Sequence, residues 1–159
     1  MKRFGLIMLA LLPAALILCT TPSFAQGSVA PDGQLGIQAG TQGLGLQYAL
    51  SPSLQIGGIL GLLQGDVTVK SITLTPYAKW LLEGDVNPYF MVGATVESED
   101  NGVTTNTTTS LGAAFGLEYY INPSIGIFGQ AQFFELGLDP SVTIFGIFNG
   151  HAGVEWFFD

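Results

Sequence analysis

Basic residues are nearly missing from this chain. Four lysines and arginines stand against twelve acids, and two of the four are Lys2 and Arg3. Beyond residue 25 only Lys70 and Lys79 remain. That leaves a net charge of about −10, whereas binding nucleic acid needs basic charge to displace counterions. Nucleic acid is therefore excluded as a partner.

Cysteine is almost as scarce, with Cys19 alone. It lies in MKRFGLIMLALLPAALILCTTPSFA, residues 1–25. A positive start, an apolar core over residues 4–18 and small residues at Ser23 and Ala25 give this stretch the build of a secretory signal cleaved after Ala25. The apolar run is too short and wrongly flanked for a lasting transmembrane helix. Leu18 stands where bacterial lipoprotein signals resemble one another in having a small residue before the cysteine, so Cys19 is not read as a lipid anchor. Cleavage after Ala25 leaves a mature chain with no thiol, hence no disulfide and no thiolate metal site.

Charge of either sign is also missing where a soluble fold needs it. A soluble surface is typically about 25–35% Lys, Arg, Glu and Asp. Here Asp66, Glu83, Asp85, Glu97, Glu99, Asp100 and Asp139 fall in predicted connections. The strand segments hold little beyond Lys79, Glu118 and Glu155. What the segments do have is strict alternation. In LGAAFGLEYYINPSIGIFGQAQFF, residues 111–134, Leu111, Ala113, Phe115, Leu117 and Tyr119 share one side, with Gly112, Ala114, Gly116 and Glu118 on the other. After the turn, Ile125, Ile127, Gly129, Ala131 and Phe133 alternate with Gly126, Phe128, Gln130 and Gln132. Alternation of this kind means strands. A face of Gly, Ala, Ser, Thr and Gln is a poor coat for a soluble protein and a good lining for a narrow lumen. The oily face then meets lipid, and a spanning sheet must close, because an open edge in hydrocarbon leaves backbone groups unpaired.

Strands are predicted at 34–40, 43–50, 54–64, 70–82, 88–98, 109–120, 124–136 and 142–158, most near the ~9–11 residues that a tilted spanning strand needs. Residues 34–50 also admit one long strand bent at a glycine. Eight is the even number expected of a bacterial outer-membrane barrel, with short periplasmic turns and longer outer loops. ALSPSL, LEGDVNP and YINPS are the short turns; QGDVTV, ESEDNGVTTNTTT and LGLDPS are the longer connections. The predicted fold is an all-β, eight-stranded antiparallel transmembrane barrel, an up-and-down meander over residues 34–159, after a signal at 1–25 and a short periplasmic segment at 26–33. Tyr48, Trp80, Tyr89, Phe90, Tyr119, Tyr120, Trp156 and Phe158 cluster beside the short turns, as an interfacial aromatic girdle would.

The block GAAFGLEYYINPSIGIFGQAQFF resembles the penultimate hairpin of the small Gram-negative outer-membrane barrels grouped around OmpA, OmpX and OmpW. The ending HAGVEWFFD resembles their closing strand, whose final aromatic is read by the barrel-assembly machinery; here Phe158 is followed by Asp159. The resemblance implies an outer-membrane location, with outer-membrane lipid, periplasmic chaperones and the assembly machinery as partners, and it names no activity.

Alternation through TIFGIFNGHAGVEWFF points Ile144, Gly146, Phe148, Ala152, Val154, Trp156 and Phe158 outward. Thr143, Asn149, His151, Gly153 and Glu155 then point inward. The expected lumen cluster is Lys79, Glu118, Glu155, His151, Gln130 and Gln132. His151 is the single histidine. Barrel lipid A deacylases are similar in size and carry His-x-Ser near the end, but Gly153 occupies the serine place, so no catalytic residue is assigned. The loop ESEDNGVTTNTTT, residues 97–109, bunches Glu97, Glu99 and Asp100 without EF-hand spacing, and no metal is assigned. GLGLQ and IGGILG lack the Lys-Ser/Thr of a phosphate loop, and no cofactor is expected. The sequence thus predicts a non-enzymatic envelope-structural or surface-interaction protein. The alternatives are a narrow solute or ion channel gated by Lys79, Glu118 and Glu155, and a lipid-modifying enzyme using His151.

Overall fold

The computed structural model describes residues 30–64, 70–139 and 141–158. The signal predicted at 1–25 with Cys19, the stretch to residue 29, residues 65–69, Pro140 and Asp159 lie outside the described residues. Eight strands follow in order: β1 (Gln34–Gly40), β2 (Gly43–Ser51), β3 (Leu54–Gln64), β4 (Lys70–Leu81), β5 (Asn87–Asp100), β6 (Thr105–Asn122), β7 (Ile125–Asp139) and β8 (Ser141–Phe158). Each pairs antiparallel with its chain neighbours, and β8 pairs back to β1 from Leu35↔Phe158 to Gly40↔Gly153. The sheet closes into an eight-stranded meander barrel, as the alternation predicts.

The two strands predicted within residues 34–50 are present, whereas two of the predicted longer connections, 97–109 and LGLDPS, change. Residues 34–50 are two strands, turned at Thr41–Gln42. Gly43 then takes φ +133, and a Cβ there would run into the Leu60 carbonyl. The 97–109 segment is not a long loop. β5 runs to Asp100 and β6 starts at Thr105, because threonines suit a pleated strand. Asn101 and Gly102 make the turn: Asn101 Oδ1 accepts from Val103 N at 3.0 Å and Thr104 N at 2.8 Å, with Gly102 at φ +80. Likewise β7 runs to Asp139 and β8 starts at Ser141, so the predicted LGLDPS loop is mostly strand. The end of β5–β8 away from the short turns is therefore a tall wall rather than a set of loops.

The two faces of the sheet divide by parity. Leu111, Phe115 and Leu117 are exposed on the outside, while Ala114, Gly116 and Glu118 between them are buried inside. Tyr48, Trp80, Phe90, Trp156 and Phe158 lie exposed on the outer face beside the short turns, Tyr119 is half-buried, and the Trp156 and Phe158 rings stack at 6.2 Å. Tyr89 and Tyr120 do not belong with them. Each is next in sequence to an outward aromatic, so its own ring points inward, and they are 2% and 1% exposed. Ile144 and Thr143 are likewise exchanged relative to the predicted faces. The β7–β8 rungs jump from Gln132↔Asn149 to Phe134↔Phe145, with Gly146 at φ +137. This bulge flips the phase above it, so Ile144 shares a rung with Glu135, which pairs with lumen-facing Gly112.

Glycines inside the barrel leave room for rings from the next strand. A Cβ on Gly57 would meet Tyr77 Oη at 2.6 Å, and one on Gly116 would strike the Tyr89 ring and Gly129 O, the latter at 2.7 Å. Gly58 faces outward with nothing within 4 Å. Gly116→Leu should therefore lower stability by ~1–3 kcal/mol through overpacking, while Gly58→Leu should be nearly neutral. Urea unfolding of the refolded barrel, followed by tryptophan fluorescence, measures both.

Candidate functional site: a charged layer across the lumen

All eight strands send side chains into one layer. Lys79 on β4 is the centre. Its Nζ donates to Glu118 Oε2 on β6 and, at 3.3 Å, to Glu155 Oε2 on β8. The lysine is 4% exposed and the two carboxylates 0% and 2%. Removing three charges from water is costly unless each is paired and hydrogen-bonded, and the surrounding residues supply those bonds. Gln47 Nε2 donates to Glu155 Oε2 at 2.8 Å. Tyr120 Oη donates to Glu118 Oε1 and accepts from Gln55 Nε2 at 2.7 Å. Lys79 Nζ also sits 5.1 Å from the centre of the Tyr89 ring, whose π face attracts a cation.

A ring of tyrosine–glutamine bonds extends the layer. Tyr77 Oη donates to Gln47 Oε1 at 2.8 Å and to Gln38 Oε1 at 3.2 Å. Tyr89 Oη donates to Gln130 Oε1 at 2.9 Å, and Gln130 Nε2 donates to Gln42 Oε1 at 3.2 Å. The rung register explains the choice of residues. Gln38 pairs with both Gly45 and Glu155, and Gln55 pairs with Lys79, so lumen positions on adjacent strands come together on the closed sheet. The layer leaves little free space: the gap among Gln38, Gln42, Tyr77, Lys79, Tyr89 and Gln130 is about 10 Å³, at the lower limit of what holds one water.

The structure brings Lys79, Glu118 and Glu155 into direct contact and attaches Gln130 through Tyr89. Gln132 stands one turn of the alternation higher, its amide nitrogen 2.9 Å from where a Cβ on Gly112 would be. His151 is half-buried and separate from the ions, with Nδ1 3.3 Å from Thr41 Oγ1. A serine at position 153 would not be accommodated, since a Cβ there meets the Phe128 ring at 2.6 Å. Among the described residues no three histidines, cysteines or carboxylates gather to hold a metal ion. Glu97 accepts a 2.6 Å hydrogen bond from Ser71 instead. Gln38, Gln47, Gln55, Tyr77, Tyr89 and Tyr120 were missed as layer residues. Inward parity marks all six in the sequence, but for Tyr89 and Tyr120 their nearness to turns obscures it.

Lys79→Met should strand two buried carboxylates and destabilise the barrel by ~3–5 kcal/mol. The triple variant Lys79→Met/Glu118→Gln/Glu155→Gln should regain most of that loss, because no uncompensated charge remains. Urea midpoints of the two variants against wild type decide it.

No protein-family profile matches the chain, and no curated protein matches it. A solved structure does: the N-terminal β-barrel domain of Pseudomonas aeruginosa OprF superposes with a TM-score of 0.58 at 17% identity, covering 84% of this chain and 100% of that one. The chain has the fold of that β-barrel domain, a closed eight-stranded barrel of the kind that the sequence resemblance implied.

Proposed function

We propose that the protein is an integral outer-membrane barrel of a Gram-negative bacterium with a non-enzymatic role, in envelope structure or surface interaction, and that its lumen does not conduct. The observation that carries this reading is the closed layer around Lys79, to which every strand contributes. At eight strands a barrel interior is just filled by side chains, and here they are bonded to one another rather than arranged around a path.

The outside supports the location. Leu35, Ile37, Leu46, Ile56, Leu74, Phe115, Leu117 and Val154 are all exposed, and water would not tolerate so continuous an apolar surface. A bilayer does, with Trp80, Phe90, Trp156 and Phe158 near one boundary. The tall β5–β8 wall, ending in the Asn101–Thr104 turn, is then the part presented to the exterior. Lipid and the assembly machinery are the partners that this reading requires.

The channel reading makes a different prediction for the same residues. Wild-type protein in planar bilayers should show no steady conductance, and Lys79→Ala and Glu118→Ala should differ from it in stability first. A wild-type conductance whose ion selectivity changes in Lys79→Ala would replace the structural reading with a gated channel.

A further inference from the structure

The inner face of the tall β5–β8 wall holds a cavity that the charged layer does not use. Its volume is about 230 Å³, many times the ~10–15 Å³ that holds one water. Thr95 and Glu97 on β5, Ser110 on β6, Glu135 on β7, and Val142 and Ile144 on β8 line it. The four strands pair in order through Thr95↔Ser110, Ser110↔Gly137 and Gly137↔Val142, so the wall of the cavity is paired backbone from one flank to the other.

Strand phase makes the two flanks unlike. On β5 and β6 the inward positions carry hydroxyls and an acid. On β8 the bulge at Gly146 has reversed the phase, which turns Val142 and Ile144 inward where Thr143 would otherwise stand. The charge is one-sided as well. In the layer below, Lys79 sits between Glu118 and Glu155, and both salt bridges among the described residues are its own. Lys70 adjoins the buried, inward Ser71 and therefore faces out. Ser71 Oγ donates to Glu97 Oε1 at 2.6 Å, which satisfies one oxygen without cancelling the charge. Glu97 and Glu135, both half-buried, thus share a space that no inward lysine or arginine enters among the described residues. Walls of low dielectric strengthen the pull of such a cleft on a cation from outside.

We propose that this cavity binds a short alkyl diamine from the exterior, its two ammonium ends on Glu97 and Glu135 and its methylene chain against Val142 and Ile144. An ammonium brings three donors and no acceptor, and the Thr95 and Ser110 hydroxyls accept what the carboxylates leave. The β5 and β7 backbones are two strand spacings apart, roughly 10 Å, and glutamates reaching in from both sides reduce that gap to the span of a few carbons. A divalent metal ion fits the lining less well. It takes six or more oxygens, and among the described residues no three carboxylates or histidines gather to supply them. It also gains nothing from the aliphatic flank. The inference rests on the membrane-spanning reading above, which puts this end of the barrel outside the cell.

Methyl NMR of the refolded barrel in maltoside micelles at neutral pH, titrated with the four-carbon diamine putrescine, tests it. The Val142 and Ile144 methyl signals should shift and saturate, while those of outward Ile56 and Ile72 stay still. Butanediol of the same length, which carries no charge, should shift nothing. Glu135→Gln should weaken putrescine by about tenfold without changing the gel mobility of the folded protein. Unchanged affinity in both Glu135→Gln and Glu97→Gln would place the diamine elsewhere and sink the proposal. Magnesium chloride giving the same saturating shifts at equal concentration would assign the cavity to a metal ion instead. Unmoved Val142 and Ile144 signals, in a barrel whose mobility still changes on boiling, would overturn the site and leave the membrane-spanning reading standing. A protein with no such mobility change would remove that reading, and the site with it.

Discussion

A sheet that turns its apolar side outward gives up its hydrophobic core, so its interior must be filled by polar groups that satisfy one another. The Lys79–Glu118–Glu155 cluster is where that constraint is most severe. Three charges lie together almost wholly shielded from solvent, and each needs partners from a different strand. Gln47, Gln55, Tyr89 and Tyr120, from four strands, hold the carboxylates and the ammonium in place. Closure and interior are consequently one problem. The layer exists only if β8 returns to β1, and the return is favoured because Glu155 on β8 meets Lys79 and Gln47 from across the lumen.

Glycine follows from the same constraint. A lumen this narrow cannot hold a tyrosine opposite another large side chain, so Tyr77 faces Gly57 and Tyr89 faces Gly116. The composition that looks weak for a soluble strand is the composition that lets rings cross the interior and reach a glutamine. The outer face has no such limits, and there large apolar side chains stand exposed, the face that the membrane-spanning reading gives to lipid. A filled lumen also bears on function, since it leaves the outer wall and its rim as the surfaces able to meet anything other than lipid.

Much of this is legible in the sequence because alternation is read locally. The bounds of β1 to β4, the closure into eight strands and the inward direction of Lys79, Glu118 and Glu155 all follow from period two and from turn residues such as Asn122-Pro123. Three features do not follow. Tyr89 and Tyr120 sit beside turns like girdle residues, but parity with Phe90 and Tyr119 sends them inward; position along the barrel axis and direction across the wall are separate properties. Ile144 and Thr143 change faces because the β8 bulge at Gly146 shifts the phase, and a bulge leaves no simple mark in an alternating string. The height of β5 and β6 was hidden because a threonine run between acids reads equally as loop and as strand until its partner is known.

The central claim is that the apolar face is outside and the charged layer inside. Heat modifiability of the protein from washed outer membranes tests it most directly, by comparing gel mobility in detergent for boiled and unboiled samples. A closed barrel held from within should resist detergent at room temperature and shift its mobility only after boiling, in the outer-membrane fraction. A protein recovered in the soluble periplasm with no shift would contradict the account, because the faces would then be reversed and Lys79, Glu118 and Glu155 could not be the core.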